Sequence, residues 1–129
     1  MVTNQDKIWV VLAALSLAIS ATDLTSAAKF PVVDLVNQYD QNNVSLLCKA
    51  FEQTILPGQR FSFEAQEKND PNAYGCTCYN SNPDILEISA YDLKRDKEYQ
   101  LIHWKFNSVG AYRSYDNIHW KLDAEWKSD

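Results

Sequence analysis

The sequence predicts an all-β fold, a small antiparallel β-sandwich of about seven to eight strands. Short apolar runs alternate with a two-residue period, as in Val44-Ser45-Leu46-Leu47-Cys48. Turn-forming residues interrupt these runs at frequent intervals, and no segment keeps a sustained helical period. These observations favour two packed sheets of short strands.

The segment Val44–Phe63 is the centre of this prediction. Pro57 presets φ for the second position of a tight turn, and Gly58 supplies the positive φ that a type II turn requires next. A strand containing Phe61-Ser62-Phe63 follows the turn, and Cys48 lies on the inward face of the strand before it. A disulfide from Cys48 is therefore placed to join one sheet to the other.

The other strands follow from the same alternation and from the turns between them. They are expected at Phe30–Asn37, as a first or edge strand, and at Ala73–Tyr79, Ile85–Tyr91, Ile102–Asn107, Ala111–Ser114 and Ile118–Lys127. The sequence Ile102-His103-Trp104-Lys105 returns as Ile118-His119-Trp120-Lys121. In this second copy the residues expected on one buried face are Ile118, Trp120, Leu122, Ala124 and Trp126.

Composition and charge limit the class of protein. The 129 residues, 46% hydrophobic and 22% charged, are typical of one globular domain rather than of a disordered chain. The formal net charge of −5 gives nucleic-acid binding no electrostatic support.

Residues 1–28 have the pattern of a secretory signal peptide. Lys7 precedes the uncharged run Ile8–Ala21, and small residues offer cleavage after Ala21 or after Ala27 or Ala28. The run is too short for a comfortable membrane span, so no stable membrane insertion is expected after cleavage, although an uncleaved anchor is the alternative. Cleavage at Ala28 leaves residues 29–129 as a single domain with 11 basic and 15 acidic residues, a net charge of −4.

Secretion places the three cysteines in an oxidising compartment, where they are disulfide candidates first. Cys76 and Cys78 share one face of an extended segment, so either is able to meet Cys48. The Cys48–Cys76 pairing is favoured, and the third cysteine is then left over as a free thiol or pairs between chains. In the same compartment Asn43-Val44-Ser45 is an N-glycosylation sequon at a junction between loop and strand.

No catalytic residues, metal site or cofactor are predicted. His103 and His119 occupy matching places on two strands, but a zinc site needs three or four ligands, and exposed histidines beside core tryptophans are the simpler interpretation. Neither a surrounding signature for a cysteine nucleophile nor a specific carboxylate pair is visible. The protein is therefore expected not to be an enzyme.

Recognition residues are instead expected in a charged loop and among the aromatic side chains. Lys94-Arg95-Asp96-Lys97-Glu98 is predicted to be a solvated loop, and loops at the end of a sandwich often carry specificity. Tyr112 and Tyr115 lie near turns and are the aromatic candidates for the surface. Trp104, Trp120 and Trp126 are expected in the core.

The order of motifs resembles that of the plant self-incompatibility protein family, the S-protein homologues. The matching segments run in order from Asn37 through Val44–Ala50, Leu56-Pro57-Gly58 with Phe61 and Phe63, a cysteine in an aromatic strand, and Ile88-Ser89-Ala90-Tyr91, to Trp104 with Gly110 and Tyr112. Leu47 and Ala50 replace a usual histidine and serine, and the later cysteine pair is absent, so the chain resembles a divergent member.

The resemblance implies a small secreted β-sandwich without enzymatic activity, whose first family disulfide maps to Cys48 with Cys76 or Cys78. It also implies an extracellular ligand that binds a cell-surface protein receptor, which would act through loops at one end of the sandwich. A secreted carbohydrate-binding module that recognises glycans is the alternative, indicated by the aromatic content. A small secreted hydrolase is a third hypothesis, for which no motif exists.

Overall fold

The computed structural model describes residues 29–128, and these residues confirm the predicted all-β sandwich. The predicted signal peptide and its cleavage sites lie outside the described residues. The strands are β1 (Val32–Asn37), β2 (Val44–Cys48), β3 (Glu52–Ile55), β4 (Arg60–Glu64), β5 (Gly75–Tyr79), β6 (Asp84–Ser89), β7 (Leu101–Phe106), β8 (Gly110–Ser114), β9 (Lys121–Glu125) and β10 (Lys127–Ser128). One short helix, α1 (Leu93–Asp96), precedes β7.

The strands form two five-stranded sheets. Sheet one has the order β9-β8-β7-β1-β4, and sheet two has the order β10-β6-β5-β2-β3. The sequence did not predict β3 or β10, because β3 contains one apolar residue in Glu52-Gln53-Thr54-Ile55 and β10 is two residues long.

The strand β1 is the first of the described strands along the chain, in agreement with one alternative of the prediction. It lies inside sheet one, between β4 and β7, so the other alternative, an edge strand, is wrong. It pairs with β4 in antiparallel and with β7 in parallel orientation, Leu35 lying opposite Trp104. The other pairs between the described strands are antiparallel. Pro31 precedes the strand, so its missing N–H removes no bond from the ladders.

Alternating side chains from both sheets meet in one core. Leu35, Trp104 and Phe106 come from sheet one, and Leu46 and Cys78 come from sheet two, each almost fully buried. The Trp104 indole Nε1 donates to the Ala90 carbonyl oxygen at 3.0 Å, which satisfies the one polar group of that ring. The prediction of a core position is therefore correct for Trp104, and Trp126 also packs against the core.

The predicted Pro-Gly turn is present. Gly58 has a φ of +75°, and the Gln59 N–H donates to the Leu56 carbonyl oxygen at 2.9 Å. The turn carries the chain from β3 in sheet two to β4 in sheet one. It therefore links the two layers and does not close a hairpin within one sheet.

The last predicted strand is shorter and less regular than expected. Ile118 is 73% exposed, because the Asp116 carboxylate accepts the N–H groups of Ile118 and His119 and holds this segment in a turn. The strand begins only at Lys121, and its pairing with β8 shifts register between Leu122 and Ala124. The prediction of a single buried face over residues 118–126 is therefore wrong.

Strand order and register divide the connections between two ends of the sandwich. One end carries α1, the loop 65–74 and the turn 115–120, and we name it the α1 end. The opposite end carries the turns 38–43, 56–59, 80–83 and 107–109. At the opposite end the buried Asn37 Nδ2 donates to the carbonyl oxygens of Asn42 at 2.7 Å and Ile55 at 2.9 Å, which joins β1 of sheet one to β3 of sheet two.

Candidate functional site

The helix α1 begins at a side-chain cap. The Asp92 Oδ1 accepts from the backbone N–H of Lys94 at 2.9 Å and of Arg95 at 3.4 Å, which satisfies N–H groups that a helix start leaves free. In return, the Asp92 N–H donates to the Asp96 Oδ2 at 2.9 Å. The charged sequence Asp92–Glu98 is therefore folded locally rather than extended.

Asp96 is fully buried, so the prediction of a solvated charge cluster is wrong for this residue. Arg95 is partly buried and binds the Asp96 carboxylate through Nε at 2.7 Å and Nη2 at 2.6 Å. The same Nη2 donates to the Ser89 carbonyl oxygen at 2.8 Å. The cost of burying the carboxylate is offset because charge-assisted hydrogen bonds surround it.

Tyr115 completes this group, which we name the Asp96 network: Ser89, Asp92, Arg95, Asp96 and Tyr115. The Tyr115 hydroxyl donates to the Asp96 Oδ1 at 2.5 Å, although the residues are distant in sequence. Burial and this hydrogen bond raise the pKa of Tyr115. Burial lowers the pKa of Arg95, but the bonds and charge of Asp96 outweigh that effect and raise it overall. Tyr115 thus acts as an anchor between α1 and the turn 115–120.

Exposed residues of α1, of the segment that follows it and of the turn 115–120 form a surface that we name the α1 surface. Its members are exposed side chains: Lys94, Lys97, Glu98, Tyr99 and Ile118. Tyr99 is 41% exposed, and its ring stacks on the Tyr115 ring with centroids 3.7 Å apart. The sequence prediction missed Tyr99, because its stacking partner comes from a distant turn.

A second group lies on the outer face of sheet one, the face turned away from sheet two. The Lys105 ammonium lies 4.4 Å from the centre of the Trp120 ring and 5.5 Å from that of the Tyr112 ring. Tyr112 and Trp120 are both partly exposed. The surface prediction for Tyr112 fits this position, whereas Trp120, expected in the core, packs over the outer face.

The same face carries a buried acidic group. Asp34 is 6% exposed and accepts from the Arg60 Nε and the Ser62 hydroxyl, each at 2.9 Å. The His103 Nδ1 lies 3.6 Å from its Oδ2. Burial raises the pKa of Asp34, but His103, Arg60 and Ser62 together outweigh burial and lower that pKa below its ordinary value. The expectation of an exposed His103 is therefore wrong.

The two histidines have separate carboxylate partners. His119 is exposed, and its Nδ1 lies 2.6 Å from the Asp116 Oδ2. The bonds from the N–H and ring of His119 hold the pKa of Asp116 well below its usual range. Within residues 29–128 no group of three potential ligands is placed to hold a metal ion.

The disulfide joins Cys48 and Cys76, as favoured, and Cys78 is free and buried. Cys48 and Cys76 are register partners on the neighbouring strands β2 and β5, so the bridge lies within sheet two. The prediction that it joins one sheet to the other is wrong. Burial raises the pKa of the Cys78 thiol to about 12, which leaves almost no thiolate near neutral pH.

Asn43, the predicted glycosylation site, is exposed at the opposite end of the sandwich from α1. Its N–H donates to the Ser81 hydroxyl at 3.1 Å, and the sequon residue Ser45 makes a hydroxyl contact of 3.1 Å with Thr54. Glycosylation remains a prediction. Among the described residues, no helix is long and apolar enough to cross a membrane.

No family model, no curated protein and no solved structure matches the chain.

Proposed function

We propose that this protein is a secreted, non-enzymatic recognition protein that binds a protein receptor on a cell surface through the α1 surface. The observation that carries the proposal is the Asp96 network, which ties α1 to β6 through Ser89 and to the turn 115–120 through Tyr115. Recognition residues of many proteins lie on loops that a rigid scaffold positions.

The α1 surface suits a protein partner because its side chains are held in place before binding. A loop that is already ordered loses less conformational entropy on association than a mobile one. Lys94 and Lys97 supply positive charge on an acidic chain, and Tyr99 supplies a rigid aromatic group of the type enriched at interface hot spots. The exposed Ile118 adds apolar area beside this charge.

Other features support an extracellular ligand. The resemblance to S-protein homologues implies this role, and the Cys48–Cys76 bridge matches the first disulfide expected from it. The sequon at Asn43 lies at the opposite end from the α1 surface. A glycan there would leave the α1 surface open to a receptor.

Secretion is tested by expressing the full chain in a eukaryotic secretory host and measuring the intact mass of the protein in the medium. We expect loss of residues up to Ala21, Ala27 or Ala28, with a glycan that Asn43→Gln removes. Alkylation should label no thiol in the folded protein, one after unfolding and three after unfolding with reduction. Retention of the whole chain in cells would contradict secretion.

Receptor binding is tested with the labelled secreted protein on intact cells of its source organism, before and after surface proteolysis. We expect saturable binding that proteolysis abolishes and that the double variant Lys94→Glu/Lys97→Glu weakens at least tenfold. Lys49→Glu/Lys121→Glu is the matched control, because it also reverses two exposed charges, at residues outside the α1 surface. Equal binding by the double variant and the control would exclude the α1 surface.

Glycan binding is the second candidate function, and the aromatic pair on the outer face of sheet one favours it. Tyr112 and Trp120 flank Lys105, and partly exposed aromatic rings are able to stack on sugars. A glycan array should then show hits that Trp120→Ala removes and Lys94→Glu leaves unchanged. An array without hits above background would eliminate this function and leave the receptor proposal intact.

A further inference from the structure

The strand β6 leaves part of its edge unpaired in sheet two. The short strand β10 covers only its beginning, with Ser128 opposite Asp84 and Lys127 opposite Ile85. Beyond these two pairs, no described strand is paired with β6 on that side. An unpaired strand edge presents backbone donors and acceptors to whatever approaches it.

The register shows which backbone groups face this edge. The Asn80 N–H donates to the Asp84 carbonyl oxygen at 3.1 Å, and the Ala90 N–H donates to the Tyr74 carbonyl oxygen at 2.8 Å. These contacts continue the register of β5 and β6, in which hydrogen-bonded pairs alternate with pairs that are not hydrogen-bonded. The N–H and C=O of Glu87 therefore point away from β5 and toward the free edge.

Ser89 supports this assignment. It has the same phase as Glu87, and its carbonyl oxygen accepts from the Arg95 side chain rather than from β5. The Asp96 network thus occupies the far end of the edge, while β10 occupies the near end. The backbone of Glu87 lies between them.

A cleft of about 770 Å³ lies against this free edge. Its walls are the consecutive residues Ile85–Glu87 of β6 and Leu122–Lys127 of β9 and β10. Successive side chains of a strand point to opposite faces, so a wall made of consecutive residues is the edge of a strand. The cleft therefore opens onto backbone from both sheets.

The side chains around the cleft determine which occupant fits. Ile85, Leu122 and Trp126 supply apolar contacts. The acidic groups are Glu87, Asp123 and Glu125, against the single cation of Lys127. Asp123 is already paired with Arg113, which leaves Glu87 and Glu125 in excess. The entire chain carries a net charge of −5. A second copy would therefore bring net negative charge to a cleft that is itself acidic, which disfavours it as the occupant.

We propose that this cleft binds an extended basic segment of a partner protein, which adds a strand to β6 through the backbone of Glu87. Backbone pairing gives such a peptide its affinity, and alternate side chains give it specificity. Basic residues of the peptide meet Glu87 and Glu125, while the apolar residues between them enter the cleft. This site is separate from the α1 surface and does not depend on the proposed receptor.

The first experiment uses a pool of eight-residue peptides with Lys or Arg at alternate positions and Val, Ile, Leu, Thr or Phe between them. The pool is added at millimolar concentration to the isotope-labelled protein, and amide hydrogen exchange is followed by NMR. We expect slower exchange at the Glu87 amide and tenfold weaker binding of a pool with Glu at the basic positions. Unchanged exchange at Glu87, or equal binding of both pools, would overturn the proposal.

The second experiment separates backbone pairing from charge attraction. In one set of peptides, the backbone nitrogens that would face β6 are methylated, which are every second nitrogen along the peptide. Methylation removes the N–H donors of the peptide and blocks its approach to β6, so binding should weaken at least tenfold. Glu87→Gln/Glu125→Gln should also weaken binding, whereas Glu64→Gln, an exposed control on β4, should not. Unchanged binding of the methylated peptides would exclude strand addition.

A third variant tests the edge from the protein side. Glu87→Pro removes an N–H that does not point to β5, and proline is tolerated at such edge positions. The fold of this variant is checked by the protection of the Ile88 amide from hydrogen exchange, because Ile88 is paired with Cys76 of β5. Binding of the basic pool to the variant should fall at least tenfold. Full binding by a folded Glu87→Pro protein, or a dimer of the protein that the pool dissociates, would overturn the proposal.

Discussion

The Tyr115 hydroxyl donates a 2.5 Å hydrogen bond to the carboxylate of the fully buried Asp96. This contact joins a turn near the end of the chain to the helix that the charge cluster forms. Asp96 and Tyr115 were both expected at the surface, but together they hold the neighbouring residues of α1 and of the turn in place. Lys94, Lys97 and Glu98 remain exposed around this anchor.

Removal of that hydroxyl should destabilise the protein. Tyr115→Phe leaves the stacking on Tyr99 possible but removes one hydrogen bond to a buried charge, so the free energy of unfolding should fall by about 1–3 kcal/mol. Urea denaturation measures the change. Tyr112→Phe is the control, since its hydroxyl makes no hydrogen bond among the residues described, and an equal loss in both variants would contradict the anchor role.

The Cys48–Cys76 bridge should contribute substantially to stability. It closes a loop with a sequence separation of 28 residues, for which chain entropy gives roughly 3–4 kcal/mol. The double variant Cys48→Ser/Cys76→Ser should therefore unfold at much lower denaturant concentration. Cys78→Ala, a change at the buried free thiol, should cost only about 1 kcal/mol. If the double variant lost no more stability than Cys78→Ala, the bridge would have no stabilising role.

Gly110 should tolerate no side chain. A Cβ at this position would lie 2.0 Å from the Ala124 carbonyl oxygen, so the backbones of β8 and β9 would have to separate. We expect Gly110→Ala to lower the free energy of unfolding by about 1–3 kcal/mol through overpacking. In Gly75→Ala the nearest atom would be the Asn72 carbonyl oxygen at 3.8 Å, and thermal unfolding should show a much smaller loss.

Asp34 should make stability depend on acid pH. The pKa of Asp34 is lower in the folded protein than its ordinary value, so its contribution is present above that ordinary value and is lost as pH falls through the folded pKa. Urea unfolding between pH 2 and pH 6 should therefore show a decline below about pH 4. Asp34→Asn should weaken that decline, and the control Asp40→Asn, at an exposed turn, should not. Identical pH profiles for Asp34→Asn and the unmodified protein would rule out this linkage.

Local alternation was sufficient to predict much of the fold. Val44 and Leu46, together with Trp104 and Phe106, mark buried strand faces because a period of two residues survives wherever one face meets a core. The Pro57-Gly58 turn was equally visible, because only a few residues suit its dihedral angles. These features depend on residues that are neighbours in sequence.

The parts that could not be predicted depend on distant partners. The burial of Asp96 requires Tyr115, and the stacked position of Tyr99 requires the same residue. The exposure of Ile118 follows from the Asp116 carboxylate, which competes with strand formation through local hydrogen bonds. Such contacts leave no periodic signal in the chain, so the charge cluster indicated a solvated loop and the local alternation indicated a regular last strand.

The parallel pairing of β1 with β7 has a consequence for the order in which the chain folds. Val32 pairs with Leu101, a partner more than half the chain away, so β1 must wait for most of the polypeptide before sheet one is complete. The strands β2, β3, β5 and β6, with the cysteine pair, are all synthesised earlier. Because distant contacts close slowly, these four strands of sheet two should form first, and sheet one and the late strand β10 should assemble upon them. Pulsed hydrogen exchange during refolding should then protect the Cys78 amide before the Leu35 amide, and the reverse order would reject this sequence of events.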